Sequence, residues 1–159
     1  MMELTPLIQK FILHWGEMGT RWGINRTVAQ IHALLYLSPK PLTAEEIADL
    51  LGVARSNVSN SLKELQGWGI VKVVHTMGDR RDHFESMKDV WEMFRVILDE
   101  RKKREADQTL AMLRESVADA KKSGASDPYT RDRLNDMLQF FELMTSWYEQ
   151  TRRMPPVRL

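Results

Sequence analysis

The chain has 159 residues and a formal net charge of +1, from 23 Lys and Arg against 22 Asp and Glu. This length suits one sizeable domain, or a small domain with an extension, and the near-neutral charge gives no support for a general polyanion binder. The absence of cysteine excludes a disulfide framework, a thiol nucleophile and a Cys-ligated metal site. The sequence shows neither a signal-peptide pattern nor an apolar run long enough to cross a bilayer, so we expect a cytoplasmic protein without a membrane segment.

Two helices are predicted in the N-terminal part of the chain. Thr5 precedes a proline, which is the pattern of a capped helix start, and Asn25 can cap a second helix over residues 26–37. The second helix is apolar nearly all round, which predicts a central place in the core. We expect Gly16 and Gly19 to loosen the end of the first helix.

A tight helix pair and a hairpin follow. Thr43 begins a helix as a capping box with Glu46, and Gly52 sits where a left-handed helix end is expected. The next helix covers residues 54–66, and the segment 70–86 predicts two short strands around a charged tip. The buried stripe of the helix 54–66 consists of Val58, Leu62 and Leu65.

The C-terminal part is predicted to be helical. Residues 87–122 form one long helical pattern whose middle has almost no apolar residue, and the segment 123–126 ends it. Asp127 and Pro128 start a last helix. That helix carries more apolar surface than one core can cover, so we expect a partner chain against it.

The order helix, helix, tight turn, helix, hairpin predicts a winged helix-turn-helix in a fold that is mainly α with a small β-hairpin. We assign residues 24–86 to a winged helix-turn-helix DNA-binding domain. Residues 1–23 and 87–153 are assigned to a helical dimerisation region, and residues 154–159 to a frayed tail.

The face of the helix 54–66 that lies opposite its buried stripe is polar and carries Ser56, Asn60 and Lys63, flanked by Asn57, Ser59 and Glu64. Arg55 lies in the first turn of the helix. Four of these side chains are small groups that form hydrogen bonds. Asn can pair bidentately with adenine, and Ser can bond a base edge. We therefore expect Ser56, Asn57 and Asn60 to contact bases. We expect Arg55, Ser59 and Lys63 mainly to hold phosphates.

The predicted hairpin tip, residues 78–82, carries two arginines. A tip of this kind reaches phosphates or enters the minor groove of DNA. Asp79 stands two residues before Arg81, so its carboxylate can brace that guanidinium by a charge-assisted hydrogen bond. We expect Arg81 to enter the minor groove, with Asp79 orienting it, and Arg80 to belong to the DNA-binding residues as well.

The MarR superfamily of regulators is the family that this sequence resembles, over the stretch LTAEEIADLLGVARSNVSNSLKELQGWGIVKVVHTMGDRRDHFE. The chain is most similar to the GbsR-type branch, whose hairpin reads GDRRDHFE and whose next helix opens with DVWEMF, here residues 78–85 and 89–94. The resemblance implies a homodimeric bacterial transcription factor with a recognition helix at 54–66, a wing at 70–86 and terminal helices in the dimer. Ala54 departs from the pattern, because a capping Ser is common there, and we expect the cap to be weaker by about 1 kcal/mol.

The charges argue partly against DNA binding, because residues 42–86 hold five Lys and Arg but seven Asp and Glu. The acids Glu45, Glu46 and Asp49 lie on the preceding helix, whereas residues 55–81 alone have a net charge of +3. We therefore expect modest non-specific affinity, with specificity that depends on dimerisation. A dimer should place its recognition helices about 34 Å apart on a pseudo-palindromic operator.

Several aromatic side chains suggest an effector pocket. GbsR-like regulators include choline sensors, and aromatic faces hold quaternary ammonium groups. The candidate pocket residues are Trp15, Trp22, Tyr36, Trp91 and Phe94. Aromatic residues at helical spacing are more often core, so both interpretations stay open. An effector that prefers a dimer with the wrong helix spacing would lower operator affinity.

The histidines admit a metal interpretation, since His75 and His83 can face each other across the hairpin. Solvated or phosphate-facing side chains are the commoner outcome, and His32 in an apolar helix is more often a core residue. Motifs of phosphate loops, metalloproteases, serine hydrolases and dinucleotide enzymes are missing from the sequence. We expect no catalytic activity, no metal and no cofactor, and a repressor function. The alternative function is a winged-helix protein-interaction module that does not read DNA sequence.

Overall fold

The computed structural model describes residues 2–123 and 127–154. The helices are α1 (Pro6–Arg21), α2 (Arg26–Leu37), α3 (Ala44–Leu51), α4 (Arg55–Gly67), α5 (Val90–Arg101), α6 (Asp107–Ser123) and α7 (Pro128–Arg152). The strands are β1 (Leu42–Thr43), β2 (Val71–Val74) and β3 (His83–Ser86). The predicted break at 123–126 and the predicted tail at 154–159 lie outside the described residues, apart from Ser123 and Met154. Over the described part of the chain, we find no helix with the length and apolar character needed to cross a membrane.

Contacts divide the chain into two compact units, the first ending at Val96 and the second beginning at Ile97. The mainly α fold with a small antiparallel sheet is confirmed. In the structure α1 packs on α2 within the first unit, whereas the sequence groups residues 1–23 with the dimerisation helices.

Four helix starts carry the caps that the sequence predicts. Thr5, Asn25, Thr43 and Asp127 each accept hydrogen bonds from backbone N–H groups in the first turn of their helices. Each of these side chains satisfies donors that have no partner inside the helix. The predicted helix starts are confirmed.

The glycines of α1 serve close packing rather than an early helix end. α1 continues through both to Arg21. A Cβ on Gly19 would lie 2.7 Å from Cβ of Ala29, and one on Gly16 would lie 2.9 Å from Cγ of Gln30. The expectation that these glycines loosen the helix is wrong, because at these positions they let α1 approach α2.

The core of the first unit is built around α2, as the sequence predicts. The side chains of Ile31, Leu34 and Leu35 are at most 1% exposed, and α2 packs against α1, α3, α4 and β3. The other large apolar side chains of this unit that are at most 2% exposed are Ile47, Val58, Leu62, Leu65 and Ile70. A helix that is apolar on nearly all sides is stable only when neighbours cover it on nearly all sides.

Lys88 closes the carboxyl end of α2. Its Nζ donates to the carbonyl oxygens of Leu35 at 2.6 Å, Tyr36 at 2.7 Å and Ser38 at 3.0 Å. These carbonyls lie at the end of a helix, where intrahelical donors are missing and the dipole favours a cation. Partial burial lowers the pKa of Lys88 from its ordinary value. The contact ties the segment after β3 to α2.

The sheet has three strands in the order β1, β3, β2, and both pairings are antiparallel. The two-stranded hairpin predicted over 70–86 is present as β2 and β3, but β1 adds a third strand. Thr43 pairs with His83 and also caps α3. A strand of two residues has no periodicity of its own, so only the tertiary pairing reveals it.

The second unit is formed mainly by α6 and α7. Four residues of α6 are buried, namely Leu110, Leu113, Val117 and Ala120. Tyr148 of α7 donates a hydrogen bond to Asp99, and Arg152 lies 3.0 Å from the same carboxylate. Burial, together with the Asp99 contact, raises the pKa of Tyr148 to about 12.

The long helical pattern predicted over 87–122 begins at Val90 and contains a π-helical turn at Lys102–Ala106. The backbone N–H of Asp107 donates to the carbonyl of Lys102, five residues back. Nζ of Lys102 also lies 3.1 Å from the Asp107 carboxylate and 3.3 Å from that of Glu149. Because this stretch has almost no apolar residue, no core packing enforces α-helical pitch there.

His32 should make the stability of the first unit depend on pH. Its buried ring has Nε2 3.0 Å from Sδ of Met93, and burial together with the Lys88 charge lowers its pKa from 6.5 to about 4. Between these values the unfolded chain binds a proton that folded His32 does not. The free energy of unfolding is therefore highest above the window and falls as pH falls through it.

We expect urea unfolding to show a His32-dependent loss of roughly 2 kcal/mol between pH 7 and pH 5. His32→Gln should remove most of this loss, whereas His14→Gln, at an exposed position of α1, should retain it. An unchanged pH dependence in the His32 variant would contradict the prediction.

Candidate DNA-binding surface

Two features fix the orientation of α4, namely the turn before it and its buried side chains. Gly52 has φ of 64°, a left-handed conformation that lets the chain turn sharply between α3 and α4. On α4 itself Val58, Leu62 and Leu65 are at most 2% exposed, so the predicted buried stripe is confirmed. The opposite face of the helix must therefore point to solvent.

That outer face is polar and accessible. The exposed side chains on it are Arg55, Ser56, Asn57, Asn60 and Lys63, and Ser59 is half-buried beside them. Short amide and hydroxyl groups offer both donors and acceptors near the backbone. This is the arrangement that base-edge recognition in a major groove requires. The contacts of each residue with DNA stay predictions.

The first turn of α4 lacks a side-chain cap. Ala54 occupies the N-cap position with extended backbone, and its methyl side chain makes no cap hydrogen bond, as its departure from the family pattern predicts. Relative to Ser, an Ala cap costs about 1 kcal/mol. The N–H groups of this turn keep their partial positive charge for an anion.

Arg55 is held by an acid that sequence periodicity does not reveal. Its Nη1 donates to Oγ of Ser59 at 3.1 Å, and its Nη2 lies 3.3 Å from Oε1 of Glu45 on α3. Glu45 lies on the preceding helix, as predicted, but its carboxylate reaches the basic segment at Arg55. Ten residues separate the pair in sequence, so no helical spacing links them.

The wing tip contains the predicted brace. Gly78 has φ of 85°, and the N–H of Asp79 donates to the carbonyl of Thr76 at 3.1 Å, which closes a turn. Oδ1 of Asp79 accepts from the N–H and the Nε–H of Arg81 at 3.0 and 3.1 Å, and Oδ2 accepts from Nη2 at 2.8 Å. These bonds hold the pKa of the Asp79 carboxyl well below its ordinary value and raise that of Arg81. The planar guanidinium is thereby held in one orientation.

The two wing histidines pair with different acids. Nε2 of His75 lies 3.2 Å from Oδ1 of Asp82, whereas the ring of His83 contacts Asp79 and the Arg81 carbonyl. His83 is 9% exposed, so the interpretation of His83 as a solvated or phosphate-facing residue is wrong. Its position in the middle strand of the sheet explains the burial.

Much of the positive charge on this surface is already paired. Lys72 lies 3.1 Å from Glu85 across the hairpin, and Arg55 and Arg81 have their carboxylates. Lys63 and Arg80 are exposed, and neither is in a salt bridge among the residues that the structure describes. Because this pairing leaves little positive charge for phosphates, we keep the prediction of modest non-specific affinity for DNA.

A groove of about 320 Å³ runs between α4 and the wing. Its walls include Glu45, Arg55, Lys63, Gln66, Arg81 and Phe84. The groove brings the arginines of the recognition helix and of the wing to one surface, which is the arrangement that a duplex backbone would meet.

The five aromatic residues of the predicted effector pocket do not all meet in the described contacts. Trp15 and Tyr36 both contact Phe11, with ring centroids 5.6 and 6.4 Å away, and Trp15 also contacts His32. The remaining three, Trp22, Trp91 and Phe94, are about half exposed. The effector pocket stays a prediction.

Residues 22–82 match the sequence profile of the MarR family. The matched segment is 61 of the chain's 159 residues, and it is similar to the winged helices of the MarR family. The match contains α2, the helix pair α3–α4, the strands β1 and β2 and the wing tip, and it ends at Asp82, immediately before β3.

Curated proteins that are similar to this chain carry regulator names. The chain is 24% identical over 142 residues to the HTH-type transcriptional repressor GbsR of Bacillus subtilis, which covers 87% of this chain and 78% of that protein. It is 25% identical over 73 residues to the HTH-type transcriptional repressor OpcR of the same organism, 46% of this chain and 40% of that one. A solved structure described as a transcriptional regulator superposes with a TM-score of 0.71 at 19% identity, over 92% of this chain and 96% of the other, and shows the same fold.

Proposed function

We propose that this protein is a sequence-specific DNA-binding transcriptional regulator that acts as a repressor in the cytoplasm. The observation that carries the proposal is the exposed polar face of α4 beside a wing whose Arg81 is oriented by Asp79. The MarR match over this surface and the repressor names of two relatives support it. A protein-docking module would not need small base-reading side chains backed by oriented arginines.

In the proposed complex α4 lies in the major groove. Ser56, Asn57 and Asn60 contact base edges. Arg55 and Lys63 contact phosphates, and Ser59 holds Arg55 through its hydroxyl. Arg81 enters the adjacent minor groove, where a narrow A·T-rich tract attracts a guanidinium.

We propose further that the protein works as a homodimer through its terminal helices. On α7 an apolar stripe lies exposed at helical spacing, formed by Met137, Phe140, Met144 and Trp147. Leu7 and Leu13 of α1 are exposed as well. Water-exposed apolar stripes of this size are typical of interfaces, and a two-fold dimer would present two recognition helices to a pseudo-palindrome.

We propose that a small molecule with a quaternary ammonium group is the effector that controls operator binding. The contiguous aromatic faces of Phe11, Trp15 and Tyr36 support it, since such faces attract cations. An effector of this kind would act by preferring a dimer with altered helix spacing.

Operator binding is the direct test of the regulator function. Purified protein is titrated against labelled DNA from around its own gene, with excess competitor DNA, at two salt concentrations. We expect nanomolar affinity that survives competitor. Arg81→Ala should abolish specific binding, whereas Lys103→Ala, which removes one positive charge outside the winged helix, should leave it intact. Binding that is weak, sequence-blind and equal in both variants would favour the protein-interaction module.

Disruption of the α7 stripe tests the dimer. Phe140→Asp places a charge among apolar side chains and should weaken self-association at least roughly tenfold, measured by sedimentation equilibrium. Ser146→Asp adds the same charge on the polar side of α7 and should leave association unchanged. A wild-type monomer, or a Phe140 variant that dimerises normally, would contradict the proposed interface.

Calorimetry with choline and with glycine betaine tests the effector. We expect heat of binding and a lower operator affinity for at least one of them, and Trp15→Leu should remove both effects. No heat and no change in operator affinity would eliminate these two compounds and leave the aromatic cluster as core packing.

A further inference from the structure

The wing arginine is held by more than its own aspartate, because a buried histidine touches both partners. Nδ1 of His83 lies 3.0 Å from the carbonyl oxygen of Arg81, and Nε2 lies 3.6 Å from Oδ2 of Asp79. This Oδ2 is the atom that accepts from Nη2 of Arg81 at 2.8 Å. The imidazole therefore closes a ring of contacts behind the Asp79–Arg81 pair.

His83 stands at the most constrained position of the wing. It belongs to the middle strand β3 and pairs with Thr43 of β1 on one side and with Val74 of β2 on the other. Its side chain is 11% exposed, whereas that of Arg81 is 56% exposed. Arg81 itself lies outside the strands. The buried His83 thus contacts two residues of the exposed turn, Asp79 and Arg81.

We propose that His83 is a positioning residue for Arg81, fixing the guanidinium in the orientation that enters DNA. The inference rests on the DNA-binding function proposed above. A carbonyl oxygen only accepts hydrogen bonds, so the Nδ1–H of His83 donates to Arg81. Without the imidazole the turn loses two contacts with the sheet, and Arg81 must be ordered when DNA binds, which lowers affinity.

A double-mutant cycle separates positioning from general support of the fold. His83→Phe keeps a ring of similar width but removes both nitrogens, and we expect it to weaken operator binding roughly tenfold. In an Asp79→Asn background the same substitution should weaken binding less than it does in the wild-type background, because the contact with the carboxylate is already gone and only the bond from His83 to the Arg81 carbonyl is left to lose. Equal losses in both backgrounds would overturn the proposal. His75→Phe is the matched control on the wing and should leave affinity unchanged.

The free protein provides a second readout that needs no DNA. Bonded to Asp79, the Arg81 Nε–H should exchange slowly with solvent in NMR spectra, and His83→Phe should speed this exchange while His75→Phe does not. An unchanged exchange rate would overturn the positioning role. Faster exchange in a protein that binds no operator would reject the DNA-binding function but leave the positioning role standing.

A third variant guards against loss of the fold. His83→Asn keeps a donor near the Nδ1 position, so we expect operator affinity and Arg81 exchange between those of wild type and His83→Phe. If His83→Phe fails to fold by circular dichroism, the Asn variant decides. Wild-type affinity and exchange in His83→Asn would then contradict the proposal.

Discussion

The first unit depends on the burial of α2. Its apolar residues are covered on nearly all sides, and removing such area from water stabilises by roughly 25 cal/mol per Å². α2 packs against α1, α3, α4 and β3. The same helix therefore supports both α4 and the wing. Lys88 completes this arrangement by binding the last carbonyls of α2.

The candidate surface is made of two parts with different rigidity. α4 is anchored by three buried side chains, so its outward face is set by helical geometry alone. The wing tip has no comparable core, and its order comes from polar contacts that meet at Asp79. Specific recognition requires both parts to be ordered before DNA arrives, since ordering during binding reduces affinity.

The charges on this surface are arranged to orient two arginines rather than to attract DNA strongly. Arg55 and Arg81 each carry a carboxylate partner, Glu45 and Asp79. These carboxylates fix the geometry of the cations, but their negative charge also cancels part of the positive charge that attracts phosphates. In the proposed complex a duplex would gain little from charge alone, and the proposed base contacts and the second subunit of the proposed dimer would supply the remaining affinity.

The sequence by itself determined the elements whose signals are local. Capping residues such as Thr5 and Asn25, the left-handed Gly52 and the buried stripe of α4 predict the helices and the polar outward face, because these depend on spacing within one turn or one helix. The Asp79–Arg81 brace is equally local. Only the tertiary structure decided the pairing of β1, the approach of Glu45 to Arg55 and the burial of His83 behind the wing. Those contacts join side chains on different elements, or depend on which strand lies in the middle of the sheet, and no periodicity encodes either.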